Sequence, residues 1–471
     1  MKQIKREEQI PDIKNQVFKI KYLKTYQNKE MEVIWSKLIQ EGQYESNKGN
    51  HEKALVKFLE AYELNPKYLD ACYYLGKEYR IIGKQLLGYL FIKIGLNMPK
   101  SINPVKNNIK SLIKDYEWLY ELSILAFYLS KYEEGREVSD KIKFNPEVPL
   151  VLKEVVHNNY IFYVDKLNYQ NKIDIPIKLP LINNSNKKWN PLNPSIIKEE
   201  QGYILNCRTV NYVHVNGNYT SMDQDKIIRT RNFLIKLDSQ LKVIWQKEII
   251  DDLDRPRYPK LVVGLEDCRL VKYNNKLWFT TTTYDTHEKN IPKMSLAVLS
   301  NIDTDNNSIK VENLTLLTGP DPNRCEKNWL PFNYNNHLLA IYGFHPFTLF
   351  DLHDNCSVHL TKSSQFDFSG FRGSAGPINF DNGFLTVVHE VIFTHSGRIY
   401  LHRFVWLDQY WNPSKISYLF YFDSKGVEYC SGMCNSHNDS IYLTVGLNDS
   451  EAFIYELSKS SINQMLHDIV I

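Results

Sequence analysis

The 471-residue sequence has no uncharged apolar run long enough to cross a bilayer. Its first residues, MKQIKREEQIPDIKNQ, lack the apolar stretch of a secretory signal. Cysteine is sparse: there are seven, at 72, 207, 268, 325, 356, 430 and 434. Their odd number and irregular spacing argue against a disulfide framework and fit a reducing compartment, so a cytoplasmic chain is expected. Cys430 and Cys434 are four apart, but no second pair with histidines completes a zinc pattern. An excess of one charge is also missing. With 57 basic and 54 acidic residues the formal charge is +3, so no large basic field and no nucleic-acid partner are expected. The lysine-rich KIKYLK near the start reads as solvated surface.

What the sequence has is apolar content typical of a folded chain, at 43%, and many aromatics, at 13%. Its length exceeds one ordinary core, so two domains are expected. Residues 1–30 read as an N-terminal extension and 31–150 as helices, with apolar residues three and four apart. Gly42 and Gly76 are 34 apart, as are Gly49 and Gly83. Leu75, Gly76 and Tyr79 fit the first helix of a 34-residue helical pair; Ala54, Phe58, Ala61 and Pro66 fit the second helix and its exit. This pattern resembles the tetratricopeptide repeat. Residues 120–146 read as a degenerate third pair. Such a stack either offers a surface to a protein partner or packs as a cap.

Residues 151–184 read as a linker and interface segment, and LPLINNSNKKWNPLNPS as a loose connection. From 185 onward the period changes to two. NNKLWFTTTTYD, NNHLLAIYGFHP, DNGFLTVVHEVI and NDSIYLTVGLND each open on a polar turn and continue as an apolar strand. Their turns, at Asn275, Asn336, Asn382 and Asp439, fall 46 to 61 residues apart, and GYILNCRTVNYV makes a fifth member. The expected architecture is helical repeats followed by a five-bladed β-propeller over 185–471. Blades bring residues far apart in sequence to one mouth. The polar candidates there are Asn206, Arg208, Arg231, Glu266, Asp267, Arg269, Lys327, Asn328, Arg372, His389, Glu390 and Asp449. Carboxylates and arginines together suit a polyhydroxylated substrate with an anionic part, because guanidinium pairs with phosphate in a bidentate way.

GLEDCRL, residues 264–270, resembles the Gly-x-Glu-Asp-Pro-Arg motif of glycoside hydrolase family 130, the mannoside phosphorylases and related hydrolases. FRGSAGPINFDNGFLTVVHEV, 371–391, is similar to that family's Gly-rich turn, Gly-Pro pair and strand ending Tyr-His-Gly. SIYLTVGLNDSEAFI is similar to its final strand. The order is the same over roughly 200–460. The resemblance implies a five-bladed propeller and an inverting reaction on mannose-like sugars, shared with a related mannosyltransferase family. It implies Asp267 as the catalytic acid of a phosphorylase, or as the base of a nucleotide-sugar transferase. Arg208, Arg231 and Arg269 become candidates for phosphate or sugar oxygens, and His389 for the same anion. The co-substrate is then inorganic phosphate or a nucleotide sugar, and the partner a carbohydrate or glycosylated acceptor. No metal set is assigned; a divalent cation beside a nucleotide diphosphate is left open.

Three departures stand out. Cys268 replaces the motif's proline, Glu390 stands where the family has glycine, and Val388 where it has tyrosine. Two alternatives follow. Glu390 as a second carboxylate makes an inverting hydrolase. A channel plugged by apolar side chains, or by Arg–Asp pairs with no cavity, makes an inactive glycan- or protein-binding scaffold. Asp267 is also weighed as a turn cap paired with Arg269, Glu266 as a structural ion pair, and Asp449 as a closing turn.

Overall fold

The computed structural model describes residues 13–98, 113–182, 187–215, 218–258, 262–354, 356–395 and 397–470. The first twelve residues of the expected N-terminal extension, three of the apolar run before Val262, and 183–186 of the Asn-rich connection lie outside them. The chain divides into two compact units, 1–142 and 143–471. No described helix is long and apolar enough to cross a membrane.

Unit 1 is built of antiparallel helix pairs. Ile13–Asn47 is followed by His51–Leu64, Asp70–Ile81 by Gln85–Asn97, and Asp115–Tyr128 by Tyr132–Phe144, whose last two residues, Lys143 and Phe144, belong to unit 2. The 34-residue spacing has a packing cause. Gly42 lies against the Phe58 ring and Gly76 against Ile92, and a Cβ at either glycine would come within 2.6 Å of that side chain. Gly49 and Gly83 carry the two connecting turns, both at φ +78. In the third pair Ser130, at φ 57, takes the same place, and the Lys131 N–H reaches Ala126 O just as Asn50 reaches Glu45 and Lys84 reaches Tyr79. Trp35, Ile39, Ala54, Phe58, Ala61 and Leu75 form one buried apolar cluster.

Unit 2 opens on helix Leu150–Asn159 and two short strands, Asp165–Lys166 and Asn171–Asp174. The segment read as a linker is therefore largely built into this unit. Lys166 pairs with Tyr421, and 171–174 run antiparallel to 453–456. Most of the rest is β-structure, through which five antiparallel meanders run, the first two joined in one nine-stranded sheet by parallel pairing of 308–310 with 248–250. The first contains Asn190–Glu199, Gly202–Val210, Ile228–Leu237 and Val243–Ile250. The second contains Glu266–Tyr273, Lys276–Thr283, Lys293–Leu299 and Ser308–Leu316; the third, Leu330–Tyr334, His337–Phe344, Phe347–Asp351 and Ser357–Lys362. The fourth runs through Arg372–Phe380, Gly383–Thr394, Gly397–Asp408 and Pro413–Ile416. The fifth has Glu428–Asn435, Ser440–Leu447 and Glu451–Ser458, with Asn171–Asp174 as its outer strand. That outer strand, brought from earlier in the chain, ties the sequence ends of the unit together.

The turns explain the hairpins. Asn274-Asn275 and Asn335-Asn336 hold positive φ at both positions, which suits a two-residue turn matching strand twist. Five buried apolar clusters fill the spaces between successive meanders, including Leu385, Val387 and Phe404 against Leu443 and Val445. The first strands of the five meanders neighbour one another in a closed circuit, and the fifth returns to the first. A propeller fits this arrangement.

Candidate active site

The first strands of the second and fourth meanders begin, and the second strand of the fifth ends, beside one cavity of about 350 Å3. Its volume falls in the ~300–1,000 Å3 range of small-molecule sites. Arg208, Glu266, Asp267, Lys327, Asn328, Arg372, His389 and Asp449 all line it. These eight come from six separate stretches of the sequence and are brought together by the meanders.

GLEDCRL shapes the cavity through its backbone. Gly264 holds φ +109, and a Cβ there would lie 2.4 Å from Thr230 O, so a side chain would be strained and would clash. The next strand starts irregularly, with a register shift between Glu266 and Arg269. Asp267 sits in that bulge at φ 51. Asn193, Asn328 and Asp449, also at the cavity, hold φ 42, 68 and 51. Bulges and left-handed backbone re-aim side chains and concentrate at functional sites.

One guanidinium holds both acids. Arg208 Nη2 donates to Glu266 Oε1 at 2.6 Å and Nη1 donates to Asp267 Oδ1 at 2.8 Å, while Nε donates to Thr230 Oγ1. Asn193 Nδ2 donates to the same Asp267 oxygen at 2.8 Å. Asp267 Oδ2 therefore has no hydrogen-bond partner among the described residues. Burial raises the Asp267 carboxyl pKa, but Arg208, Arg269, the Asn193 amide and Lys327 outweigh it and bring it down to about 2. At neutral pH it is a carboxylate. Lys327 Nζ donates to Tyr284 Oη at 2.9 Å and lies 3.6 Å from Glu266 Oε2. Burial lowers its pKa, while Glu266 and Tyr284 raise it by more, so it stays charged.

His389 is buried and neutral: burial, then His402, Arg372 and Arg269, push its pKa well below the ordinary value. Its Nδ1 lies 3.0 Å from Ser374 Oγ. The Arg372 guanidinium makes no hydrogen bond or ion pair among the described residues. It lines this cavity and a neighbouring one of about 770 Å3, which also shares Lys327 and Asn328.

Four expected residues lie elsewhere. Arg231 is bidentate to Glu248, at 2.6 and 2.5 Å. Strand alternation gives the reason, because Thr230 and Asn232 face the Arg208 side and Arg231 the opposite one. The same parity turns Glu390 away from His389. Glu390 pairs with Lys143 and, at 2.8 Å, with Arg403; burial raises its pKa but Lys143, Arg403 and His157 hold it well below the ordinary range. Asn206 is fully buried and donates to Asn232 Oδ1, which lies beneath the motif. Arg269 is a buried tie: it donates to Ser374 O, Asp267 O, Asn328 Oδ1 and the Tyr429 hydroxyl. It borders a separate cavity of about 590 Å3. Burial pushes the Cys268 thiol up to about 12, so it is no nucleophile at neutral pH.

Sequence reading missed Asn193, Tyr212, Tyr219, Tyr284, Arg398, Tyr400 and Tyr429, all of which line the cavity. Asn193 lay inside the stretch read as loose connection. The tyrosines had only their abundance as a signal.

No known protein family matches the chain, and no curated sequence matches it either. Among solved structures, it is similar to one described as "The GH130 family of mannoside phosphorylases contains glycoside hydrolases that target beta-1,2 mannosidic linkages in Candida mannan" (13% identity, 63% of this chain, 96% of that chain, TM-score 0.41). It is also similar to a mannose phosphorylase from Leishmania mexicana solved with phosphate ion (12%, 67%, 96%, 0.38). A GDP-Man-dependent mannosyltransferase from the same organism aligns at 12% identity over 64% of this chain and 94% of its own, with TM-score 0.39.

Proposed function

We propose that this chain is an inverting glycosyl-transfer enzyme acting on mannose-like sugars, with Asp267 as its proton-transfer group. The single observation that carries this reading is the state of that carboxylate: ionised, fixed through Oδ1 by Arg208 and Asn193, with Oδ2 left open in a polar cavity. The family resemblance of GLEDCRL supports the choice of sugar.

In the synthetic direction the donor is a sugar esterified to phosphate at its anomeric carbon, either a sugar 1-phosphate or a nucleotide sugar. An acceptor hydroxyl lies against Asp267 Oδ2. Its oxygen attacks the anomeric carbon, the bond to the phosphate oxygen breaks on the opposite face, and the hydroxyl proton passes to Oδ2. Lys327 and Arg372 supply positive charge for the departing phosphate. Phosphorolysis is the same step reversed: because the free Asp267 is a carboxylate, its proton arrives with the co-substrate as dihydrogen phosphate, and passes on to the leaving oxygen as phosphate attacks the anomeric carbon.

The hydrolase alternative is less favoured with Glu390 as its second carboxylate, because Glu390 is engaged with Lys143 and Arg403 rather than lining the cavity. The scaffold alternative expects Arg–Asp pairs with no cavity; the Arg208–Asp267 pair fits it, and the open space beside the carboxylates supports the enzyme reading instead. The propeller is read as five-bladed from the five meanders and their closed circuit of first strands. The helical pairs are read as tetratricopeptide-like from their 34-residue spacing.

The test is a donor panel. Incubation with mannosides plus inorganic phosphate, and separately with nucleotide sugars plus sugar acceptors, should release sugar 1-phosphate in one arm or consume donor in the other. No turnover in either arm refutes the proposal.

A further inference from the structure

The third meander carries a second cluster of chemistry-bearing side chains, away from the candidate cavity. His337 opens its second strand, Asp351 ends its third, and His359 lies on its outer strand. Antiparallel pairing places these three positions at one end of the sheet. One donor atom from each lies within 4.8 Å of the others. The His337 Nδ1 to Asp351 Oδ2 distance is 2.9 Å, and the two imidazole centroids are 5.2 Å apart.

We propose that His337, Asp351 and His359 form a binding site for a zinc-class divalent cation. Two imidazoles and one carboxylate are a borderline donor set, suited to zinc, nickel or copper, whereas magnesium and calcium prefer oxygen throughout. Zinc bonds to nitrogen and oxygen are about 2.0–2.2 Å long, so tetrahedral donors stand about 3.4 Å apart. Rotation of the two exposed imidazoles closes the remaining gap. The carboxylate is already oriented. Its Oδ1 accepts the backbone N–H groups of His353 and Asp354 at 3.0 and 3.3 Å, so Oδ2 faces the histidines. Such outer partners fix ligand geometry in metal sites. With three protein ligands and an exposed rim, the fourth position is left to water. A bound ion would cross-link three strands, including the outer one, whose Ser357, Val358 and His359 are exposed.

The experiment is titration of the full-length, tag-free protein with zinc chloride, followed by calorimetry and by melting temperature. The proposal expects one zinc per chain, a rise in melting temperature reversed by chelator, and no competition from millimolar magnesium. His359→Gln should weaken binding by about tenfold or more, and H337Q/H359Q should abolish it. His359 makes no hydrogen bond among the described residues, so its replacement leaves the fold intact; unchanged circular dichroism checks this. Absence of stoichiometric zinc uptake, or uptake unaltered in the double variant, overturns the proposal.

Discussion

Arg208 Nη1 lies 2.8 Å from Asp267 Oδ1, and this contact joins the second strand of the first meander to the first strand of the second. The same guanidinium reaches Glu266, so one buried cation answers two carboxylates. Removing it leaves both acids partly buried, with Lys327 beside Glu266 and only Arg269 and Lys327 as cations near Asp267. Breaking a buried pair costs about 3–5 kcal/mol. Arg208→Met should destabilise the protein by about that amount in chemical denaturation. A loss below about 1 kcal/mol would show that the pairing is incidental.

Asp267 also sets a pH dependence. Its folded pKa is depressed, from 3.8 to about 2. Its stabilising contribution is therefore fully present above about pH 4 and is lost as pH falls through about 2. The stability advantage of the wild type over D267N should shrink across that window. The rate profile of the free enzyme should show no acid limb from Asp267 at neutral pH. An acid limb near about pH 6 that moves in N193A would contradict this state of the carboxylate.

Arg372 is exposed and its guanidinium is unpaired among the described residues, so it contributes little to folding. Arg372→Gln should leave the melting temperature unchanged. If the residue meets the donor phosphate, KM for that donor should rise about tenfold, corresponding to about 1.4 kcal/mol. An unchanged KM would place the phosphate elsewhere.

Glu390 separates transfer from hydrolysis. It is buried between Lys143 and Arg403. Glu390→Gln should lower stability, by up to about 3–5 kcal/mol, and leave kcat near that of the wild type. A fall in kcat of about a hundredfold with the fold intact would restore it as a catalytic group.

The alternating β-pattern, the polar turns and the charged GLEDCRL interruption were legible in the sequence, because two-residue hairpins need Asn, Asp or Gly at positive φ. Eight of the twelve expected site residues line one cavity. Arg231 and Glu390 were misjudged by strand parity, since each neighbours a residue that faces the site and therefore points to the opposite face. The motif's resemblance makes Arg269 a candidate for phosphate or sugar oxygens; its partners are buried carbonyls and side chains that join the meanders. Asn193 was hidden because its role depends on a bulge, and a bulge leaves no periodic signal. The segment 151–184 read as a linker because its strands are short, and their partners lie far away in sequence.

The most direct measurement is the rate of sugar transfer by Asp267→Asn with the donor that the panel identifies, alongside its melting curve. The account predicts a kcat lower by about two to four orders of magnitude in a folded protein. Wild-type turnover by folded D267N would contradict it.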